Sequence, residues 1–171
     1  MPEMGVLRFI TENCLGAKEG KRVYFGEYRH QIDEKGRIRI PPKLKAQLGE
    51  NPFITRGSNN CLIVLPEKDA VRIFDEKFRS LDLLDPVNSK SVRLMASSGF
   101  KAEEDKAGRI LLPQHLIRHA KLSKNVVTIG AYNRVEIWSE ENWNAYSDIG
   151  DEEFDECLKT LPDKRGDKAD E

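Results

Sequence analysis

Six cations crowd into a short stretch of the 171-residue chain: Arg29, Lys35, Arg37, Arg39, Lys43 and Lys45. At that density lysine and arginine can neutralise phosphates, and an arginine on a turn can reach base edges in a major groove. The stretch contains an acid, Asp33, four residues ahead of Arg37, and the same pair returns as Asp105 and Arg109. Two carboxylates could in principle act as acid and base. Each of these, however, sits in its own turn beside its own arginine, which points to a salt bridge that positions the arginine. Asp33 and Asp105 are therefore read as orienting residues, and Arg37 and Arg109 as contact residues. The competing reading is that Arg37 only pairs with Asp33 while its neighbours are solvated.

Other chemistries lack their residues. The chain has no GxSxG, no Walker GxxxxGK[ST], no GxGxxG and no HExxH. Cys14, Cys61 and Cys157 are scattered without a CxxC pair, as expected for reduced thiols in a cytoplasmic protein. His115 and His119 are one helical turn apart, but no cysteine or carboxylate stands beside them at ligand spacing. We expect no catalytic residues, no metal and no cofactor. No apolar run approaches the ~20 residues a membrane span needs, and Glu3 and Glu12 interrupt what could pass for a signal peptide.

The acid–arginine pairs belong to a longer duplication. DEKGRIRIP (Asp33 to Pro41) recurs as DKAGRILLP (Asp105 to Pro113), and the match continues through Gly57/Gly130, Asn60/Asn133, Val64/Ile137 and Glu67/Glu140. Each copy predicts the same elements. An Asp-x-x-Gly-Arg turn has Gly36 or Gly108 at a positive-φ position. Next comes a short strand, Arg37 to Ile40, with isoleucines inward and arginines outward. Pro41 and Pro42 open a helix, Lys43 to Leu48, that Gly49 closes. Strands Pro52 to Arg56 and Cys61 to Leu65 flank the hairpin turn 57–60. Copy two predicts a helix Gln114 to Ala120, and strands Asn125 to Ile129 and Arg134 to Trp138. With the preceding strand, Val23 to Ile32 in copy one, each unit reads β–β–α–β–β. Helices Glu67 to Leu81, Pro86 to about Ser97, one N-capped by Ser139, and Glu152 to Leu161 complete the pattern.

Charge is unevenly spread. Residues 139–171 hold 12 acidic and 4 basic side chains, a net −8, so the net −1 of the whole chain hides a basic body. A basic body permits a polyanionic partner without requiring one. Phe25, Tyr28, Phe53, Trp138 and Trp143 fall on strands or helices, where a core or subunit-interface role is expected ahead of base stacking.

FGEYRHQIDEKGRIRIP (Phe25 to Pro41), TRGSNNCLIVLP (Thr55 to Pro66), DKAGRILLP and VVTIGAYNRVEIW (Val126 to Trp138) together resemble the MraZ family of bacterial transcriptional regulators. The resemblance runs from about Val23 to Tyr146. It implies an α+β, mainly β fold: tandem swapped-hairpin AbrB-like (SpoVT-AbrB) units forming one pseudo-symmetric β-barrel-like module with flanking helices. It implies a ring-shaped homo-oligomer, an octamer or larger, bound to double-stranded DNA at promoter repeats of the division and cell-wall gene cluster, in the cytoplasm and on the nucleoid. The family's Asp-x-x-x-Arg motif carries onto Asp33 with Arg37 and Asp105 with Arg109. The DNA-binding set expected is Arg37, Lys35, Arg39, Arg109 and Lys43, with Asp33, Gly36, Asp105 and Gly108 orienting the motif. Two departures stand out: the residues ahead of Phe25 exceed the family's usual start, and Lys35 has Ala107 as its counterpart.

The domain organisation expected is an N-terminal extension (1–22), a first AbrB-like repeat with its helix (23–84), a connecting helix (85–98), a second repeat (99–146), and a C-terminal helix with acidic tail (147–171). Two rival functions were weighed. One is an antitoxin-like interaction module binding a protein through the acidic tail. The other is an enzyme acting on an anionic substrate, which would need a concave set of polar groups that no motif supplies.

Overall fold

The computed structural model describes residues 22–161. The expected N-terminal extension, apart from Arg22, and the part of the expected acidic tail from 162 onward lie outside the described residues, as does Cys14. Among the described residues fourteen elements follow in chain order. Copy one supplies β1 (Glu27–Gln31), β2 (Arg37–Ile38), α1 (Pro42–Leu48), β3 (Phe53–Arg56), β4 (Leu62–Leu65) and α2 (Glu67–Phe78). After α3 (Pro86–Ser98), copy two supplies β5 (Phe100–Lys101), β6 (Ile110–Leu111), α4 (Gln114–His119), β7 (Asn125–Gly130), β8 (Val135–Ser139) and α5 (Glu140–Ser147). The last helix is α6 (Asp151–Lys159).

Local chemistry accounts for the boundaries. Prolines at or just ahead of the first turn start α1, α2, α3 and α4, where a missing N–H costs nothing. Asp85 caps α3 by accepting from the Val87 and Asn88 amides. Asn59 and Asn60, both in the left-handed region, turn the chain between β3 and β4. The α1 helix ends at Gly49, whose φ of 78° few other residues tolerate.

The repeats interlock. The large sheet runs β1-β7-β8-β4-β3-β5, and β2 pairs with β6 in a ribbon of its own. Every pairing is antiparallel. Exchanging the copies turns β1 into β5, β3 into β7 and β4 into β8, and the strand order then reads the same backwards. Copy one's first strand therefore lies on copy two, with Arg29 opposite Val127, and copy two's first strand lies on copy one, with Phe100 opposite Ile54. The seam is β4 against β8, Leu62 opposite Ile137.

The sheet does not close. Its end strands β1 and β5 are not partners, because β5 is two residues long and β2 and β6 leave the sheet to pair with each other. The expected β-barrel-like module, mainly β, is thus corrected to a mixed α+β fold with two antiparallel sheets and, among the described residues, six helices.

One apolar cluster serves both copies. Ile38, Leu44, Ile54, Leu62 and Val64 of the first pack with Ile110, Leu112, Leu116, Val126 and Ile137 of the second, all buried. Burial of this kind contributes about 25 cal/mol per Å² of apolar surface. Beside it the buried Glu136 accepts from Arg134 Nε at 2.6 Å and Trp138 Nε1 at 3.0 Å, which supplies both carboxylate oxygens with hydrogen-bond partners. Phe53 meets Phe74 edge to face at 5.6 Å, and Phe25 is half exposed. The described chain divides into two compact units, one ending at Glu140 and one beginning at Glu141. In the second unit, α6 carries Phe154, Cys157 and Leu158 along an exposed side that Leu161 extends.

The turn glycines differ in what surrounds them. Gly36 and Gly108 both sit in the left-handed region, at φ +78° and +72°. A Cβ on Gly36 would stand 2.8 Å from Ile117 Cδ1, whereas one on Gly108 finds Glu104 Oε2 at 3.7 Å. Both alanine substitutions should cost about 1–2 kcal/mol for the backbone. Gly36→Ala should cost measurably more because Ile117 must also move. Urea unfolding of the two variants reads the difference, and equal midpoints would contradict it.

Candidate nucleic-acid interface

The two acid–arginine turns are built alike. In the first, the Asp33 amide donates to Arg37 O at 3.0 Å and the Gly36 amide donates to Asp33 O at 2.9 Å. Asp33 Oδ1 accepts from the Lys35 and Arg37 amides, both at 2.9 Å, and Oδ2 accepts from Arg37 Nε at 2.6 Å. In the second, Asp105 Oδ1 accepts from the Ala107 amide at 2.8 Å and the Arg109 amide at 3.0 Å, and Oδ2 accepts from Arg109 Nε at 2.9 Å. An aspartate is the side chain short enough to bond its own turn in this way. Both carboxyls are held below their ordinary value of 3.8, first by the arginine backbone N–H and then by the remaining bonds to the turn and the guanidinium. Asp105 falls to about 2. Charged at any neutral pH, each aspartate orients its arginine through Nε.

The ribbon then brings the turns together. Arg37 is in register with Leu111, and Ile38 with Ile110. The isoleucines face the core, so Arg37 and Leu111 share the outer face with Arg39 and Arg109, one position along each strand's next pleat. Arg39 donates to Ala107 O of the opposite turn, and the Leu112 amide donates to Gly36 O at 3.0 Å. Arg109 Nη1 reaches to within 3.9 Å of Asp33 Oδ2 while its Nη2 holds Asp105 at 2.8 Å. The arginines are not equivalent. Arg109 divides its terminal nitrogens between two acids, whereas Arg37 contacts Asp33 through Nε, with 29% of its side chain exposed.

Not every cation in the basic stretch joins this face. Lys45 is ion-paired with Glu104, and Arg29 with Glu27 and Glu140, so both act as structural ties. Lys35 is exposed on the first turn. Lys43 is exposed on α1. Sequence reasoning passed over Lys106, which sits exposed on the second turn one position before Ala107. A position-by-position alignment sets it against Glu34 and so conceals that both turns carry a lysine. Leu111, which takes the place of Arg39 in the second copy, was not counted in the expected site, although it too is exposed.

The histidines are engaged elsewhere: His115 Nε2 lies 3.3 Å from Ser98 O, and His119 Nε2 3.0 Å from Gly57 O. Burial pushes the Cys61 thiol up to about 12, away from any thiolate chemistry.

The β2–β6 ribbon thus gathers arginines of both copies on one outer face. A family model described as "MraZ protein, putative antitoxin-like" matches residues 23–86 and 95–163. The transcriptional regulator MraZ of Carboxydothermus hydrogenoformans is 39% identical over 141 residues, 82% of this chain and 98% of that protein. That of Caldanaerobacter subterraneus subsp. tengcongensis is 42% identical over 136 residues, 80% of this chain and 94% of its own length. The Clostridium tetani protein of the same name is 40% identical over 126 residues, 74% and 88% respectively. The chain belongs to the MraZ family of transcriptional regulators. No helix among the described residues is long and apolar enough to cross a membrane.

Proposed function

We propose that this protein regulates transcription by binding double-stranded DNA in a sequence-specific manner. Its targets are repeated promoter elements of the division and cell-wall gene cluster. It acts there as a ring-shaped homo-oligomer, an octamer or larger, in the cytoplasm and on the nucleoid. The observation that carries this reading is the β2–β6 ribbon, which sets outward arginines from both copies on one face. A two-stranded ribbon fits the major groove, where an arginine can donate two hydrogen bonds to one guanine. Arg37, Arg39 and Arg109 contact DNA from the ribbon, Lys35 from its turn and Lys43 from α1. Asp33, Gly36, Asp105 and Gly108 hold the turns in shape. No metal or cofactor is called for.

Self-association gives the ribbon its strength. A single ribbon touches few bases, but several presented in register bind repeated elements at a high effective concentration. Support comes from apolar side chains left in water on the helices: Val71 on α2, and Val87 and Leu94 on α3, with Leu83 and Leu84 just before α3.

A mobility-shift titration against the protein's own upstream region and a shuffled duplex of equal composition tests the reading. Specific binding should favour the upstream duplex and weaken steeply with salt, the logarithm of affinity falling by about 0.9 per phosphate neutralised for each unit of log salt. Equal affinity for both duplexes would reject sequence specificity.

A further inference from the structure

Leu111 is a large apolar side chain in the middle of the cationic face. It is 60% exposed, while Ile110 beside it and Leu112 after it are buried. The core therefore does not need it. It stands directly across the ladder from Arg37, and its counterpart in the first copy is Arg39. The outer face of the ribbon is accordingly a square of three arginines and one leucine, and the leucine is where the pseudo-symmetry of the two copies breaks. An arginine there would have added a phosphate or guanine contact. A leucine cannot hydrogen-bond and offers only apolar contact. In a major groove the apolar feature of a base edge is the thymine 5-methyl group.

We infer that Leu111 is a specificity-determining residue that packs on a thymine 5-methyl group beside the base read by Arg37. The inference rests on the DNA-binding reading above and extends it. Because Arg39 and Leu111 differ, the two halves of the ribbon recognise different bases. One protomer's recognition element is then non-palindromic and fixes the ribbon's direction on the duplex.

The test uses the full-length protein and its own upstream duplex, with thymines replaced one at a time by deoxyuridine, which removes only the methyl group. Wild type should lose about three- to fivefold in affinity at one thymine in each repeated element, the worth of one buried methyl. Leu111→Ala should lose a similar factor on the unmodified duplex and become indifferent to deoxyuridine at that position. Its thermal unfolding should stay unchanged because the side chain is exposed. Leu111→Arg should likewise be indifferent to the methyl while binding shuffled DNA more tightly. A specific complex in which wild type ignores every deoxyuridine overturns the assignment to Leu111 and leaves the DNA-binding reading intact, as does a Leu111→Ala variant that keeps the full deoxyuridine penalty. Failure of wild type to form any specific complex overturns both.

Discussion

Arg37→Ala should abolish the sequence-specific complex with promoter DNA while leaving the oligomer intact. The guanidinium is held to Asp33 through Nε at 2.6 Å, with 29% of the side chain exposed. One bidentate contact to a guanine contributes about 1–3 kcal/mol of discrimination, roughly a factor of five to 150 at each element. The substitution also uncovers Asp33. A carboxylate that had been neutralised by its arginine would then face phosphate directly, and in an assembly that engages several elements the losses multiply. Arg109→Ala should cost less, because Arg109 already divides its Nη nitrogens between Asp105 at 2.8 Å and Asp33 at 3.9 Å. Anisotropy titration gives the affinities, and light scattering after size exclusion gives the assembly. A normal shift of the promoter duplex by Arg37→Ala would show that the ribbon has been misassigned.

The second large effect concerns the fold itself. Ile137→Ala should destabilise the protein by about 2–5 kcal/mol, a large part of the ~5–15 kcal/mol that holds a typical domain together. Ile137 is fully buried on β8, facing Thr128 of β7 on one side and Leu62 of β4 on the other. It stands at the seam between the copies. Neither repeat keeps its sheet without strands of the other, so residues up to Glu140 should unfold in one transition. Denaturant unfolding in a Trp143→Phe background, which leaves Trp138 as the fluorophore, followed by fluorescence and by far-ultraviolet dichroism should give coincident curves, both displaced by the substitution. Two separated transitions would mean that the repeats fold independently.

Those same pairings mark where sequence reasoning runs out. The hairpin 57–60, the proline-started helices and the Asp-x-x-x-Arg turns were legible because each follows from neighbours a few residues apart. Strand partners were not. Alternation along β1 says that one face is buried, but not that Glu27 to Gln31 will lie along Ile129 to Asn125, about a hundred residues away. Barrel closure is a property of the strand ends, which no periodicity records, and it entered with the family resemblance and was overturned by the unpaired edges of β1 and β5. At the site, the bonds from Asp33 and Asp105 to their own arginines could be read from the turn. The use of Lys45 and Arg29 as ties could not, since their acids, Glu104 and Glu140, lie far along the chain. The outward place of Leu111, by contrast, follows from the alternation Ile110-Leu111-Leu112, in which it stands where the first copy has Arg39.

We propose the β2–β6 ribbon as the surface that meets DNA. Amide hydrogen exchange of the full-length protein, alone and saturated with its upstream duplex, tests this most directly. New protection should fall on the two turns and the ribbon, residues 33–39 and 105–111, with α6 unchanged. Protection confined to α6, with both turns exchanging as in the free protein, would contradict the claim.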